Sequence, residues 1–378
     1  MYLTDLALMD FRSHREAVLR LEPGVTTFTG DNGQGKTNLV EAVAYLATLS
    51  SHRTSTDQAL VRQGADKAVV RARLRKGDRA AVVSVEVIPG KANQAFLGRT
   101  KVKPAALLGV TQAIAFVPED LALVKDGPEV RRRYLDELTL LLRPSMAGVL
   151  ADYDKVIRQR SALLKTLTGL SGPARRDGYA GLEVWDGPAA ALGSAIIAQR
   201  IALTRKLNGR VARLYDGLAG GGSAELNYNS SVNIKVDDPA PKIEHELLKA
   251  MVEARDKEID RGVSLYGPHR EELALTLNGL PARGYASHGE SWSLALALRL
   301  GSFEVIRAEL EDDPVLILDD VFAELDESRR QALTGLVEGI EQVLVTAAVP
   351  ADVPDGLTDR WYVIAQGQVE ASDGPATG

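Results

Sequence analysis

The stretch that decides the fold is Gly30-Asp31-Asn32-Gly33-Gln34-Gly35-Lys36-Thr37. It matches the pattern G-x-x-x-x-G-K-[ST], in which glycines allow backbone N–H groups to wrap around phosphate oxygens. Strand-like residues precede it and apolar residues at helical spacing follow it, so a helix N-terminus adds to the anion site. This context disfavours the alternative, an ordinary glycine-rich turn. We predict that residues 30–37 bind ATP, with Lys36 at the β- and γ-phosphates and Thr37 as a ligand of Mg²⁺.

A second chemical element lies late in the chain, where the apolar run 315–318 ends in Asp319 and Asp320. Central strands of parallel sheets are apolar on both faces, and nucleotides bind beyond their carboxyl ends. A buried strand ending in a helix cap is the alternative, which the presence of the phosphate-binding motif disfavours. We predict that Asp319 holds Mg²⁺, directly or through water, and that Asp320 polarises the attacking water.

The composition is that of an ordinary folded protein. Of the 378 residues 45% are hydrophobic and 25% charged, and this length predicts two or three domains or one domain with a large insertion. Cysteine is absent, which excludes disulfides and Cys-ligated metal sites and fits a reducing compartment. No apolar run is long enough to span a bilayer, and the start of the chain lacks the basic segment of a signal peptide. We expect a soluble, cytoplasmic protein.

The order of elements predicts an α/β fold with a helical insertion. Short strands fill the first 30 residues, and residues 70–74 and 83–87 alternate like the two strands of a β-hairpin. Apolar residues between 192 and 214 recur at helical spacing. The predicted segments are an α/β head at 1–124 and 255–378, a mostly helical insertion at 125–254, and a disordered tail at 371–378.

The net charge of −6 hides a basic segment. Residues 125–213 carry 16 Lys and Arg against 9 Asp and Glu. A local basic surface is what electrostatic DNA binding requires, and the net charge of the whole chain does not decide it. The run Arg131-Arg132-Arg133 predicts contact with DNA or with a partner subunit, although such a run is usually a solvated helix face. Basic residues between 187 and 213 scatter around a helix, which argues against a continuous phosphate track there.

Two weaker motifs lie on either side of the acidic strand. Ser287-His288-Gly289-Glu290 precedes an apolar helical pattern, and Ala323-Glu324-Leu325-Asp326 enters another helix. Taken alone, Ser287 and Glu290 form an ordinary capping box at the start of a helix. Each motif alone could arise by chance, but chance is a much poorer explanation for both motifs in this order and spacing around the acidic strand. Together they therefore indicate more than helix caps.

These motifs resemble the RecF family of bacterial recombination mediators, whose ATPase head is of the ABC type found in SMC and Rad50 proteins. The resemblance covers nearly the whole chain and includes Leu6-x-x-x-Asp10-Phe11-Arg12, Asn38-Leu39-Val40-Glu41-Ala42 and Pro118-Glu119-Asp120-Leu121-x-Leu123-Val124. Three further blocks are specific to that family: Gly127-Pro128-x-x-Arg131-Arg132-Arg133-Tyr134-Leu135-Asp136, Tyr266-Gly267-Pro268-His269-Arg270 and Leu318-Asp319-Asp320-Val321-Phe322-Ala323-Glu324-Leu325-Asp326. The implied fold is an α/β P-loop head of the ABC type, built from N- and C-terminal segments, with a mostly helical second lobe inserted.

The resemblance also implies roles that spacing alone does not give. Residues 287–290 match the ABC signature, so Ser287 and Gly289 would contact the γ-phosphate bound by a second subunit. Residues 323–326 match the D-loop, with Asp326 at the shared site, and residues 343–346 lie where the switch-region strand falls. The chain departs from its relatives at His288 and Glu290, where many carry Gln, and at Asp320, where transporter ATPases carry Glu. Gln112 is the candidate for the Q-loop glutamine.

The function implied by the resemblance is that of an ATP-switched DNA-binding protein of replication and recombinational repair. ATP between two heads would join them into a homodimeric clamp at single-stranded gaps and single/double-strand junctions, and slow, DNA-stimulated hydrolysis would release the DNA. RecO and RecR would be its partners in loading the RecA recombinase and supporting the SOS response. The alternative is an ABC-transporter ATPase subunit, which the large insertion and the block 267–270 disfavour.

Overall fold

The computed structural model describes residues 1–54 and 56–374. Residues Met1–Lys125, Arg210–Ala224 and those from Gly284 onward form one compact unit, and residues Asp126–Gly209 and Glu225–Arg283 form another. We refer to them as unit 1 and unit 2.

Strands occur in both units. They are β1 (Tyr2–Phe11), β2 (His14–Arg20), β3 (Gly24–Thr29), β4 (Ala68–Lys76), β5 (Arg79–Val87), β6 (Gln94–Leu97), β7 (Thr100–Val102), β8 (Ala113–Phe116), β9 (Ala224–Asn229), β10 (Glu272–Leu277), β11 (Leu280–Pro281), β12 (Val315–Asp319), β13 (Gln342–Ala347), β14 (Arg360–Ala365) and β15 (Gln368–Ser372).

Helices occupy much of the rest of the chain. They are α1 (Lys36–Thr48), α2 (Ala122–Lys125), α3 (Pro128–Leu142), α4 (Met146–Leu167), α5 (Gly172–Ala219), α6 (Ala240–Glu253), α7 (Arg255–Arg261), α8 (Ala282–Tyr285), α9 (His288–Leu310) and α10 (Glu327–Val337). The helix predicted between residues 192 and 214 is confirmed as part of α5. The described part of the chain contains no helix long and apolar enough to cross a membrane.

A largely parallel sheet forms the centre of unit 1. Its strand order is β15-β14-β3-β13-β12-β8, in which β8, β12, β13, β3 and β14 run parallel. Every residue of β12 is buried, as is every residue of β13, which is the pattern of central strands covered on both faces. The predicted central strand before the two aspartates is therefore confirmed, and its carboxyl end lies beside those of β13 and β3.

Helices α1 and α9 belong to the same unit as this sheet. Most of α9 between Ser291 and Ile306 is buried, and the Trp292 ring meets that of Phe116 on β8 edge to face, with centroids 5.1 Å apart. Such a helix has little amphipathic periodicity because nearly all of its surface is covered by protein.

A second, antiparallel sheet completes unit 1, with the strand order β2-β1-β4-β5-β6-β7. The predicted hairpin is confirmed as β4 and β5, which pair from Ala68–Val87 to Lys76–Arg79. Along β4, Val70, Ala72 and Leu74 are buried while the arginines between them are exposed. The alternation in the sequence thus separates a core face from a basic outer face.

Unit 2 combines helices α3, α4, α6 and α7 and the larger part of α5 with the small sheet β11-β10-β9. Its cores include an apolar cluster containing Ile197 and Leu247. A buried ionic network also lies here: Arg160 donates to Asp186 at 2.8 Å and to Glu258 at 2.6 Å. The three residues come from three helices, and removing Arg160 would leave the buried Glu258 without its ion-pair partner.

The two units divide the chain differently from the expected segments. Residues 255–283, expected in the head, lie in unit 2, where Glu258 bonds to Arg160. Residues 210–224, expected in the insertion, lie in unit 1, where Arg213 pairs with Glu304 at 2.6 Å. At the tail, Ala371 and Ser372 pair with β14 and are not disordered, and residues 375–378 lie outside the described part.

Candidate functional site

The predicted phosphate-binding loop joins β3 to α1 at the carboxyl edge of the parallel sheet. Gly30 has φ 147° and Gly35, the N-cap of α1, has φ 113°. A Cβ on Gly30 would lie 2.2 Å from the Ile364 carbonyl oxygen, and one on Gly35 would lie 2.8 Å from Nε2 of His14. Both positions therefore require glycine for backbone conformation and for space, which explains the glycine spacing.

Lys36 is buried within this loop. Its ammonium donates to the carbonyl oxygens of Gly30 at 2.5 Å and of Asp31 at 3.1 Å. The cation is thus held over the loop whose backbone amides would face phosphate oxygens, at the N-terminus of α1.

The two acidic residues predicted from the sequence lie beside this loop. The Thr37 hydroxyl donates to Oδ1 of Asp319 at 3.0 Å, and the Thr346 hydroxyl on β13 donates to the same oxygen at 2.5 Å. Burial raises the pKa of Asp319 to about 6, and the negative charges of Asp320 and Glu119 act in the same direction. A cation at this carboxylate would offset all of these effects.

Asp320 adopts an unusual backbone conformation immediately after β12. Its φ is 52°, and its N–H donates to the Thr346 hydroxyl at 2.9 Å. Its Oδ1 is buried, and no described residue donates a hydrogen bond to it. A strained residue with an unsatisfied buried oxygen at the carboxyl end of a central strand is typical of a functional position.

These side chains fit a magnesium ion held together with a nucleotide. Within residues 1–54 and 56–374 no group of three or more His, Asp or Glu side chains could hold a metal by itself. The Thr37 hydroxyl and the Asp319 carboxylate nevertheless meet at one point, and oxygen ligands of this kind suit Mg²⁺ when phosphate oxygens complete the shell. The sequence placed Thr346 in the switch-region strand at 343–346 but did not predict its contacts, because these depend on the pairing of β12 with β13.

Ser287 caps α9 through a complete capping box. Its hydroxyl accepts from the Glu290 N–H at 3.3 Å, and its own N–H donates to the Glu290 carboxylate at 2.8 Å. The hydrogen bond from the Ser287 backbone lowers the pKa of Glu290. Ser287 and His288 are exposed, and the hydrogen bonds described for Ser287 reach only Glu290 and Ser291. Ser287 and Glu290 therefore do cap the helix. The N-terminus of α9 is still exposed to solvent, so another molecule can contact it.

The predicted D-loop also ends in a helix cap. A short 3-10 turn, Phe322–Glu324, leads to Asp326, whose carboxylate accepts from the Arg329 N–H at 2.9 Å at the start of α10. Arg329 also approaches the signature segment, because a Cβ on Gly289 would lie 3.0 Å from its Nη1. The signature and the D-loop thus share a neighbour within unit 1.

Sequence analysis missed an ionic cluster beside the phosphate-binding loop. Glu41 on α1 is fully buried and accepts two hydrogen bonds from Arg12 and one from Ser51, with Arg53 3.4 Å away. Burial acts to raise the pKa of Glu41, but these hydrogen bonds and charges outweigh it and the pKa lies below its usual value. The resemblance motifs contained Arg12 and Glu41 without showing that they meet.

The Gln112 interpretation is wrong. Strand β8 pairs in parallel with β12 from Ala113–Val315 to Phe116–Leu318. Gln112 precedes that strand and so lies at the end opposite to Asp319. The segment that follows β8 carries Glu119, whose charge contributes to the raised pKa of Asp319.

The three predicted arginines of unit 2 differ in exposure. Arg131 is 3% exposed and pairs with Glu272, and Arg132 is half-buried and donates to the Glu271 carbonyl at 2.9 Å. Burial lowers the pKa of Arg132. Arg133 is exposed. Contact of this run with DNA stays a prediction, and it depends on Arg133 and the accessible part of Arg132.

The block 266–270 is partly buried in unit 2: Gly267 and Pro268 are buried, His269 is half-buried and Arg270 is exposed. Tyr153 and His269 lie within hydrogen-bonding distance, 2.7 Å, and burial lowers the pKa of His269 to about 4. Arg200 donates to the Pro268 carbonyl at 2.7 Å and pairs with Asp136. Arg200, part of the basic stretch at 187–213, is therefore a structural residue and not a phosphate contact.

A stronger basic surface lies on the outer face of the antiparallel sheet of unit 1. Arg71, Arg73 and Arg75 are exposed on β4, at alternate positions about 7 Å apart. Arg73 lies 3.6 Å from Asp5, a contact between exposed side chains that neutralises little. The sequence shows that these arginines alternate with apolar residues. Only the structure shows that they are exposed to solvent and could therefore bind anions.

Unit 1 combines a phosphate-binding loop after β3, two acidic residues at the end of β12 and an exposed, N-capped helix α9. This combination defines a P-loop ATPase head of the ABC type. Comparison with known families agrees. The family model described as "RecF/RecN/SMC N terminal domain" matches residues 2–366, and the chain belongs to this family, within its RecF branch. The predicted fold class is confirmed.

Similar relatives are bacterial proteins named DNA replication and repair protein RecF. The chain is 54% identical to that of Frankia alni over 98% of this chain and 99% of the relative. It is 50% identical to that of Streptomyces avermitilis over 98% and 100%.

Solved structures give the same result. The structure described as the recombination mediator protein RecF-ATP in the RecFOR pathway has a TM-score of 0.89 and 28% identity, covering 98% of this chain and 97% of that one. The Smc head of Pyrococcus furiosus, at 16% identity and a TM-score of 0.55 over 98% and 96%, shares the fold alone. These matches favour the RecF interpretation over a transporter subunit.

Proposed function

We propose that this chain is an ATP-dependent DNA-binding protein of DNA replication and recombinational repair. The observation that carries the proposal is the meeting of Thr37 with Asp319, beside the buried Lys36 and the strained Asp320. The relatives named above are DNA replication and repair proteins, and one of the similar structures is a RecF bound to ATP. Its place of action is the cytoplasm, where chromosomal DNA of a bacterium is found.

The chemistry of the site suits ATP hydrolysis. Lys36 and the loop amides bind the β- and γ-phosphates, and Thr37 and Asp319 hold Mg²⁺, which neutralises phosphate charge when bound. Asp320 polarises and orients the attacking water, because its Oδ1 has no protein donor and its backbone is fixed by Thr346. ATP then acts as a switch, with weak ATPase activity stimulated by DNA.

The switch works between two copies of the chain. Ser287 and Gly289 lie at the exposed N-terminus of α9, and the described hydrogen bonds of Ser287 stay within that helix. A helix N-terminus attracts a phosphate, so this one completes the ATP site of a second copy, with Asp326 nearby. ATP thus joins two heads, and hydrolysis separates them.

DNA is the polyanion held by this dimer. The exposed Arg71, Arg73 and Arg75 supply a row of guanidinium groups on a rigid strand, and Arg132 and Arg133 of unit 2 offer a further basic position. We propose single-stranded gaps and single/double-strand junctions as the targets. RecO and RecR are the proposed partners, in loading RecA and in the SOS response.

Fluorescence anisotropy tests the proposal. A labelled gapped duplex is titrated with the protein in the presence of ATP, of ADP, or of neither. The proposal expects binding at least about tenfold tighter with ATP than with ADP. Equal affinity in all three conditions would exclude an ATP switch.

A further inference from the structure

The outer face of the antiparallel sheet in unit 1 carries exposed apolar side chains. Met9 on β1 is 53% exposed and Val18 on β2 is 69% exposed. Val18 pairs with Ala7 on β1, and Met9 pairs with the half-buried Val69 on β4. Leu8, between Ala7 and Met9, is buried on the opposite face of the sheet. We call Ala7, Met9, Val18 and Val69 the apolar patch, which lies on a sheet but faces water.

The apolar patch borders the row of arginines on β4. Arg71 lies opposite Ala7 and two positions from Val69, so it is next to the patch. Arg73 and Arg75 continue away from the patch along β4, at alternate positions about 7 Å apart. Neighbouring strands of a sheet lie about 5 Å apart, so β2, two strands away, lies about 10 Å from the row. Cations and apolar groups thus lie side by side on one face.

A cavity of about 290 Å³ opens on this face where the patch meets the arginine row. It is lined by Asp5, Ala7, Arg71, Arg73 and Val82. Two of these residues are apolar and two carry guanidinium groups, and the Asp5 carboxylate lies 3.6 Å from Arg73. The cavity therefore suits a ligand that joins an anionic group to an uncharged ring, as a nucleotide does.

Two acidic side chains also border the patch. Glu16 on β2 lies opposite Met9. Glu86 on β5 lies opposite Val69 and pairs with Lys67 at 3.0 Å. Carboxylates repel phosphates, so a bound polyanion places its backbone along the arginines of β4 and its uncharged groups over the patch. The charges on this face thus orient the ligand.

A single-stranded nucleic acid offers both phosphates and accessible base faces. In a duplex the bases are paired and stacked, so an apolar side chain on a sheet gains little from contact with them. Proteins that bind single strands combine a basic track with side chains, usually aromatic, on which bases stack. Met9 suits this role because its thioether is polarisable and makes favourable contacts with aromatic rings. The arginine row and the apolar patch therefore match the two parts of a single strand.

We propose that the outer face of this sheet binds single-stranded DNA, with phosphates at Arg71, Arg73 and Arg75 and unstacked bases on Met9 and Val18. This inference rests on the proposed function as a DNA-binding protein, and it assigns the preference for single strands to the apolar patch. The arginines attract any polyanion, whereas the patch is covered only by bases that have left the stack.

Fluorescence anisotropy of the full-length protein, with ATP and Mg²⁺, compares labelled oligothymidylate with a duplex of the same length. Met9→Gln combined with Val18→Thr keeps the size of both side chains but removes apolar surface. We expect at least about fivefold weaker binding of oligothymidylate, and duplex affinity within about twofold of the parent. Val184→Thr, at a 65% exposed position on α5, is the matched control and should bind both probes like the parent. Unchanged affinity for oligothymidylate, or equal weakening of both probes, would overturn the proposal.

Photo-cross-linking gives a readout that does not depend on a variant. Oligothymidylate that carries 4-thiothymidine is irradiated with the parent protein, and adducts are located by mass spectrometry. We expect adducts between residues 7 and 18, and none there from a duplex with the same photoreactive base. Adducts only elsewhere in the chain would overturn the proposal. A double variant with altered sedimentation but parent-like oligothymidylate affinity would assign the patch to a protein contact and also overturn it. If the parent binds neither probe, the proposed function fails first.

Discussion

The Thr37 hydroxyl donates a hydrogen bond to the Asp319 carboxylate at 3.0 Å, across 282 residues of sequence. This contact brings the phosphate-binding loop and the acidic strand into one site. It forms because β3, β13 and β12 are neighbours in a parallel sheet, so that their carboxyl ends meet at the same edge.

Lys36→Ala tests the loop directly. The change removes the buried ammonium that lies over the Gly30 and Asp31 carbonyls, and with it the cation for the β- and γ-phosphates. ATP affinity measured by calorimetry should fall at least about a hundredfold. DNA binding without nucleotide should change little. Parent-like ATP affinity would refute the assignment of the loop.

Asp319→Asn should stabilise the nucleotide-free protein while it abolishes Mg²⁺-dependent ATP hydrolysis. Because burial raises the folded-state pKa of Asp319 to about 6, the folded protein binds more protons than the unfolded chain between about pH 4 and 6. Stability contributed by this group therefore falls as pH rises through that window. At pH 8 the substitution should raise the unfolding free energy by about 1–3 kcal/mol, measured by urea denaturation. A loss of stability at pH 8 would contradict this reading.

Asp320→Asn separates ATP binding from hydrolysis. The amide keeps the size of the side chain but loses the charge that polarises water, and Asp320 accepts no described protein hydrogen bond at Oδ1. We expect near-normal ATP affinity, hydrolysis reduced about a hundredfold, and accumulation of ATP-bound dimers on DNA. Turnover at the parent rate would exclude Asp320 from the mechanism and direct attention to Glu324 or Glu119.

Charge reversal compares the two basic surfaces. Replacing Arg71, Arg73 and Arg75 with Glu should weaken single-stranded DNA binding more than tenfold and reduce the slope of log affinity against log salt by about 2. Replacing Arg132 and Arg133 with Glu should have a smaller effect. Lys155→Glu with Arg158→Glu, on the exposed surface of α4, is the control. ATP binding should survive in each variant. An unchanged salt slope in the β4 variant would remove that surface from DNA binding.

The parts of the site that could be predicted are contiguous in sequence. Residues 30–37 and the pair Asp319 and Asp320 each carry their chemistry within one motif, and the α/β pattern placed them at strand ends. Contacts between distant segments were out of reach: Glu41 with Arg12, or His14 with Gly367, follow from packing. The Q-loop interpretation of Gln112 failed because it depends on the direction of β8, which places Gln112 at the end of the sheet opposite to Asp319.

Charge was the least predictable property. The sequence predicted contact of Arg131 with DNA or a partner subunit, yet Arg131 is buried and pairs with Glu272. Arg200 lies in the stretch where the sequence argued against a continuous phosphate track, and it is also buried and pairs with Asp136. An arginine can be buried where a carboxylate pairs with its guanidinium group, and that carboxylate can come from any part of the chain. The arginines of β4 predicted only a strand in the sequence. Periodicity shows which residues alternate along a strand, but it does not show which face of the sheet is exposed to solvent.

If ATP joins two heads through the N-terminus of α9, slowly hydrolysing variants should dimerise only with ATP, and sedimentation velocity measures this. Asp320→Asn should sediment as a dimer with ATP and as a monomer with ADP or without nucleotide. Adding Ser287→Arg leaves residues 30–37 unchanged, so ATP affinity should stay within about threefold, but the bulky cation blocks entry of the second copy's γ-phosphate. We expect this double variant to remain a monomer even when it is saturated with ATP. An ATP-dependent dimer of the double variant would show that Ser287 is only a helix cap and would contradict the clamp.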